Sequence, residues 1–388
     1  MSDEPPPATA PTGPLGVEIV DAEVLHVRKA LEHPAGPAGA SNAWRESTFL
    51  KLTTDDGTVG WGETYSVAGT PARLRQVAET LIGTPLAAIG GWPPPFGLDE
   101  VGDSFVLGAI DIARHDLIGS ILGVPAHALL GPQRRTTVQA YASGFLYRQG
   151  SDPAGHWLDE AQQLVDAGYR SIKVRIGGLD VDEELDRLTA IRELVPTGTT
   201  LMVDAWGAYT PATAMRVGDR LYDLGVVWFE EPCPPGPDCA GYEGLVTSMR
   251  VPIAGGEAAR TRSALLSLLQ RRAVDVIQPD AAICGGMTNV MFAAELAVLH
   301  GLSCVPHTWN GGVMAAATMH VLAAMPLTGR IADGTGPWLE YDTTENAFLR
   351  GALVDPPHLI DGSFPIPDGP GLGVEVDEAF LRAHLVDA

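Results

Sequence analysis

Apolar and polar positions along the chain follow two periods, and the order of those periods divides it. Residues 17–28 read as a strand. A Gly/Ala/Pro-rich loop follows near residues 33–42. Residues 48–52 and 57–62 then read as an antiparallel hairpin about Asp55-Asp56-Gly57, a strong turn signal. Residues 71–130 read as largely helical, with a break at Gly91-Trp92-Pro93. This first stretch predicts an α+β module.

Beyond residue 136 strand-like runs alternate with amphipathic helical ones. The strands are predicted at 137–142, 171–176, 200–204, 226–230, 251–257, 274–280, 302–307 and, more weakly, 337–341. Residues 157–167 show the helical pattern: Trp157, Ala161, Leu164 and Val165 share a face, and Gly168 suits the stop. Eight strands separated mainly by helices over about 200 residues predict a (β/α)₈-type barrel, with a doubly wound sheet as the runner-up. After Phe348 the chain turns rich in Pro and Gly and cannot form a further βα unit. It is expected to pack back on the first module. Residues 1–14 hold five prolines and read as a disordered tail. The division expected is a tail at 1–14, a capping domain at 15–135, a barrel at 136–347 and a returning segment at 348–388.

Strand alternation locates the chemistry. In residues 171–176, Ile172, Val174 and Ile176 share one face, and Lys173 and Arg175 share the other. In a barrel the apolar set faces the helices and the two cations point inside. The following strands end in Asp204, Glu230, Glu257, Asp280, His307 and Glu340, about 23 to 33 residues apart, one βα unit each. Singly, each acid reads as a helix N-cap and His307 as a satisfied core histidine. All in phase, they converge on one mouth of the barrel. Asp204, Glu230 and Glu257 lie on adjacent strands, and three such carboxylates repel unless a cation lies between them. All-oxygen ligation favours a hard ion, Mg²⁺ above others. Zinc is disfavoured, because Cys304 and His307 alternate onto opposite faces.

Composition narrows the partners. The 388 residues carry a net charge of −23, which argues against nucleic acid and against an anionic membrane surface. An acidic protein also repels acidic substrates at long range, so any anion site must concentrate its own positive charge. No run is long and apolar enough for a membrane span. With Arg28 as the first basic residue and only four cysteines, a cytoplasmic location is expected.

The order Lys-x-Arg, Asp, Glu, Glu, Asp, His, Glu resembles the enolase superfamily in its mandelate racemase subgroup. Gly60-Trp61-Gly62-Glu63, Glu230-Glu231-Pro232, Gly255-Gly256-Glu257, Pro279-Asp280 with Gly285-Gly286, and Trp338-Leu339-Glu340 carry the resemblance together. It implies a (β/α)₇β modified TIM barrel, under an N-terminal α+β capping domain completed by the C-terminal segment. It implies Mg²⁺-assisted removal of the proton α to a carboxylate, giving an enediolate, in a homo-oligomer acting on a small-molecule carboxylate substrate. The metal ligands implied are Asp204, Glu230 and Glu257. Lys173 is expected to supply positive charge, a protonated Glu340 to donate a hydrogen bond to the oxyanion, and Asp280 to orient His307. In the family pattern the second residue of the Lys-x-Lys pair is a base, and here it is Arg175, which stays protonated. One base suffices for β-elimination, so dehydration of a sugar acid is the first reading and racemisation or epimerisation the second. Cycloisomerisation ranks lower, because that branch puts a lysine on the sixth strand where this chain has Asp280. A lapsed barrel acting as a scaffold is the non-catalytic reading. Ser143, Trp206 and Asn310 are expected substrate contacts. Trp206 stands where the family often has Asn, and it makes the mouth more apolar. Arg45 is weighed as a contact to a distal carboxylate against an exposed salt bridge.

Overall fold

The computed structural model describes residues 13–67, 69–90, 97–236, 239–326 and 337–386. The break read at 91–93 and residues 1–12 of the expected tail lie outside the described residues.

The first layer is a sheet of β1 (Ile19–Gly36), β2 (Asn42–Thr54) and β3 (Val59–Thr64), packed on α1 (Thr70–Leu81) and α2 (Ser104–Leu122), with the short α3 (His127–Leu130) after it. The hairpin turns at the expected Asp55-Asp56-Gly57, where Thr54 Oγ1 and the Thr58 N–H both donate to Asp56 Oδ1. β1 runs well past the expected strand. Its pairing with β2 resumes at Ala35↔Asn42 after an irregularity following Ala30, so the expected loop shrinks to the turn between the two strands.

The barrel comprises β4 (Thr137–Ser143), β5 (Tyr147–Arg148), α4 (Trp157–Asp166), β6 (Ser171–Arg175), α5 (Val181–Leu194), β7 (Thr200–Asp204), α6 (Pro211–Asp223), β8 (Val226–Glu230) and α7 (Tyr242–Ser248). It continues through β9 (Ile253–Gly255), α8 (Arg262–Arg271), β10 (Val276–Ile277), α9 (Met287–His300), β11 (Ser303–Cys304), α10 (Gly312–Ala324) and β12 (Trp338–Asp342). β5 is the exception in place, since it joins β1 of the cap. The other eight strands lie in the order β11-β10-β9-β8-β7-β6-β4-β12, and every neighbouring pair is parallel. The sheet curls until its ends meet: just past β11, the Thr308 N–H donates to Glu340 Oε2 on β12 at 3.0 Å. This is the modified TIM barrel expected from the sequence. β10 and β11 are shorter than expected because Pro279 and Pro306 bring no N–H to the ladder. Isolated bonds carry it onward, Val305 N–H to Ile277 O at 3.0 Å and His307 N–H to Pro279 O at 3.2 Å.

The alternation on β6 works as read. Ile172, Val174 and Ile176 join the core beneath the helices, while Lys173 and Arg175 point inward. Below them a plug of Tyr141, Met202, Trp228, Ala254, Val276, Val305 and Trp338 fills the barrel. Trp228 meets Tyr141 and Trp338 edge-on, with ring centroids 5.6 and 5.4 Å away. The interior is therefore a packed floor, and the charged groups of Lys173, Arg175 and His307 stand above it toward the C-terminal mouth.

The chain then continues through α11 (Ala347–Arg350), β13 (Ser363–Pro365) and α12 (Glu378–Arg382). β13 pairs antiparallel with the start of β4. The Leu372 N–H donates to Asp116 Oδ1 of α2 at 2.8 Å, and the Val386 N–H donates to His26 O of β1 at 2.9 Å. The segment after β12 thus straps barrel and cap together.

Candidate active site

Strand register brings the polar ends level. Arg175 pairs with Asp204, and Asp204 with Glu230. Lys173 is fully buried, with Nζ 2.6 Å from Glu230 Oε1, 2.7 Å from Glu340 Oε1 and 3.6 Å from Asp204 Oδ2. Burial works against its charge, but Glu230, Glu340 and Asp204 outweigh it and hold the ammonium above its ordinary range. Arg175 places Nη1 2.6 Å from Asp204 Oδ2, with its guanidinium 4.5 Å over the Trp309 ring. Burial again opposes the charge, and Asp204, Glu340, Glu230 and Glu257 raise its pKa.

His307 Nδ1 lies 2.7 Å from Asp280 Oδ2. A carboxylate only accepts, so Nδ1 carries the proton and Nε2 faces the mouth. Nε2 is 3.3 Å from Glu257 Oε2 and 3.9 Å from Glu340 Oε2. Burial lowers the imidazole's pKa, but Glu257, Glu340 and Asp280 push it up to about 10. Glu340 could donate to the oxyanion only if protonated, and its surroundings act against that. Burial favours the neutral acid, yet Lys173 and His307 pull its pKa down to about 2, so it stands as a carboxylate.

Glu230 and Glu257 feel the crowding. Desolvation comes first and neighbouring carboxylates add to it. Glu230 rises to about 7 even beside Lys173, and Glu257 rises despite His307. Gln278, which the sequence reading missed, donates from Nε2 to Glu230 Oε2 at 2.7 Å, as does Trp228 Nε1 at 3.2 Å. Trp206 and Glu231, each just beyond a carboxylate, hold positive φ of 45° and 37°. Such strain costs on the order of 1 kcal/mol or more and clusters at functional sites. The Trp206 N–H uses its position to donate to Asp204 Oδ1 at 2.8 Å.

Among the described residues, no three His, Cys, Asp or Glu side chains stand in ligating geometry as they rest. Asp204 is turned to Arg175, Glu230 to Lys173 and Glu257 to His307. The donor set still fits a hard divalent ion: three buried or half-buried carboxylates on consecutive strands, two of them raised by burial and then by neighbouring carboxylates.

Above the strand ends a cavity of about 1110 Å³ opens between cap and barrel, with Tyr65, Arg175, Trp206, Glu257, His307 and Trp309 among its walls. Trp206 is half-exposed there, as expected of a mouth residue. Ser143 and Asn310 are buried and do not line this cavity. Asn310 Oδ1 instead accepts from Ser47 Oγ of the cap at 3.0 Å. Arg45 is committed within the protein, pairing with Asp342 and stacking 4.9 Å over Trp309, and it is not an exposed surface pair.

Residues 19–131 match the family described as mandelate racemase / muconate lactonizing enzyme, N-terminal domain, and residues 156–380 match the enolase C-terminal domain-like family. The chain belongs to the enolase superfamily, in its mandelate racemase/muconate lactonizing enzyme group. It is 35% identical over 344 residues to D-galactarolactone cycloisomerase of Agrobacterium fabrum, covering 87% of this chain and 90% of that one. It is 29% identical to arabinonate dehydratase of Saccharolobus solfataricus, covering 94% of each. The structure of 3,6-anhydro-D-galactonate cycloisomerase from Zobellia galactanivorans superposes with a TM-score of 0.81 at 27% identity, over 95% of this chain and all of that one. The chain is thus similar to both dehydratases and cycloisomerases of sugar acids, the latter a reaction that the sequence reading had ranked lower. Among the described residues no helix is long and apolar enough to cross a membrane.

Proposed function

We propose that the protein removes the α-proton of a sugar acid with His307 and expels the β-hydroxyl as water. The observation that carries this reading is the state of Arg175. It is bound to Asp204, stacked on Trp309 and held more strongly protonated than a free guanidinium, so it cannot act as a second base. Racemisation needs a base on each face of the α-carbon. Elimination needs one.

Asp204, Glu230 and Glu257 would hold Mg²⁺, which would polarise the substrate carboxylate and offset the carboxylate charge that keeps His307 protonated. His307 Nε2 takes the α-proton, with Asp280 on Nδ1 fixing the tautomer and balancing the imidazolium. Lys173 supplies fixed positive charge beneath the enediolate, held in place by Glu340. The imidazolium then returns its proton to the departing β-hydroxyl. The C–O bond breaks, water leaves, and the resulting enol tautomerises to a 2-keto-3-deoxy acid. Trp206 offers an apolar face to the carbon chain at the mouth.

A second reading is cycloisomerisation, favoured by the 35% identity to a lactone cycloisomerase. It shares the proton abstraction and differs in the leaving group. Product analysis separates the two. Incubation with Mg²⁺ and a panel of aldonic and aldaric acids and their lactones is expected to yield a keto acid lighter than its substrate by one water. An isomer of unchanged mass points to cycloisomerisation, an inverted α-centre to racemisation, and no change with any acid to a scaffold.

A further inference from the structure

Of the barrel helices, α4, α7, α9 and α10 begin without a side-chain cap of their own, and the last two follow the strands of the dyad. α5, α6 and α8 are capped by their own side chains, Asp180, Thr210 and Thr261. α9 and α10 begin at Gly286 and Gly311, which carry no capping group. Their first N–H groups are met instead by carboxylates of the cap domain. Glu63, at the end of β3, accepts from the Gly311 N–H at 2.7 Å and from the Met314 N–H at 2.8 Å. Asp111, on α2, accepts from the Thr288 N–H at 3.2 Å and from Thr288 Oγ1 at 3.0 Å. The glycines make room for these partners. A Cβ on Gly311 would lie 2.3 Å from Glu63 Oε1, and one on Gly286 would lie 2.3 Å from the Asp111 side chain.

Tyr65, two residues beyond Glu63, reaches the dyad itself. Its hydroxyl donates to Asp280 Oδ2 at 2.7 Å, the same oxygen that faces His307 Nδ1. Its ring is braced edge-on against Phe105 of α2, with centroids 6.2 Å apart. The other Asp280 oxygen accepts from the Ala282 N–H at 2.7 Å and the Ile283 N–H at 3.2 Å. Both Asp280 oxygens are therefore held, one by its own loop and one by the cap and His307.

We propose that Tyr65, Glu63 and Asp111 are positioning residues for the Asp280–His307 pair, so that docking of the cap assembles the base. The cap holds the loop after Asp280 through Asp111, the loop after His307 through Glu63, and the shared carboxylate oxygen through Tyr65. A carboxylate held by directed hydrogen bonds keeps one torsion and hence one imidazole orientation. This inference rests on the reading of His307 as the base.

The test is Tyr65→Phe, which removes one hydroxyl and keeps the ring, read in two ways in the full chain. The first is the His307 Nδ1–H resonance in ¹⁵N-histidine-labelled protein, assigned by its loss in His307→Asn. The resonance is expected to shift in Tyr65→Phe. The second is turnover with whichever acid the wild type accepts: kcat is expected to fall about 10-fold with KM nearly unchanged. An unmoved resonance with unchanged kcat overturns the proposal, and a rise in KM alone overturns it in favour of a substrate contact. If the wild type turns over no acid, the proposed function fails while the resonance still decides the positioning claim. Glu63→Gln, which puts an amide NH₂ against the Gly311 or Met314 N–H, is expected to move the same resonance if it folds.

Discussion

At the foot of the barrel, two imidazoles face each other through their Nδ1 atoms. His127 and His320 are both buried, with Nδ1 to Nδ1 at 3.3 Å and rings stacked 5.5 Å apart. His320 Nε2 lies 3.0 Å from Leu372 O, so Nε2 carries its proton and Nδ1 accepts from His127. A second proton, on Nδ1, would face the His127 backbone N–H, which already donates to that nitrogen at 3.2 Å. Burial, then His127 and His115, lower its pKa to about 4, against the Leu372 carbonyl, which raises it. Unfolded histidine titrates near 6.5, so between about pH 6.5 and 4 the unfolded chain binds the extra proton. Stability from the neutral ring is therefore fully present above pH 6.5 and is lost as pH falls toward 4. Going from pH 7 to 4.5, the linkage amounts to about 2 kcal/mol from this ring alone, and the lowered pKa of His127 acts in the same direction. His320→Gln keeps a donor for Leu372 O and cannot take up a proton. Urea unfolding of wild type and variant at the two pH values is the assay. The variant is expected to be the less stable at pH 7, with the gap closing by about 2 kcal/mol at pH 4.5. A gap independent of pH would refute the reasoning, whatever its size.

Two further outcomes are expected. Glu184 accepts from Tyr147 and Tyr209 and from the backbone N–H groups of Gly177, Gly178 and Leu179, all at the loop just beyond Arg175. Glu184→Gln turns one acceptor into a donor among donors and is expected to lose about 1–3 kcal/mol of stability; an unchanged urea midpoint would contradict this. Asp204→Asn is expected to abolish Mg²⁺ binding measured by calorimetry and activity together, and retained metal affinity would remove Asp204 from the ligand set.

The barrel was legible because its signal is local. Alternation on 171–176 separated Ile172, Val174 and Ile176 from Lys173 and Arg175, and the spacing of acids along the chain marked the strand ends. Side-chain partners across the two domains were not legible, because no period in sequence links them. Glu63 and Tyr65 meet groups more than 200 residues away, and Gly311 is a turn residue until the Glu63 carboxylate is seen beside it. The same blindness hid how Arg45 is held, paired to Asp342 at the cavity wall, and how close Lys173 comes to Glu340. Ser143 and Asn310 are both buried, Ser143 at the end of β4 level with Lys173 of β6. The surplus of acids over bases explains little of this site, where local cations oppose the charge of the whole chain.

The central claim is that His307 is the single base for an α-proton. The most direct measurement is deuterium uptake at the α-carbon of sugar acids in D₂O with Mg²⁺, followed by NMR for wild type and His307→Asn. The account predicts a keto acid from the wild type, and loss of both exchange and product in the variant by about 10²-fold or more. Exchange or turnover persisting in His307→Asn, or inversion at the α-carbon by the wild type, would contradict it.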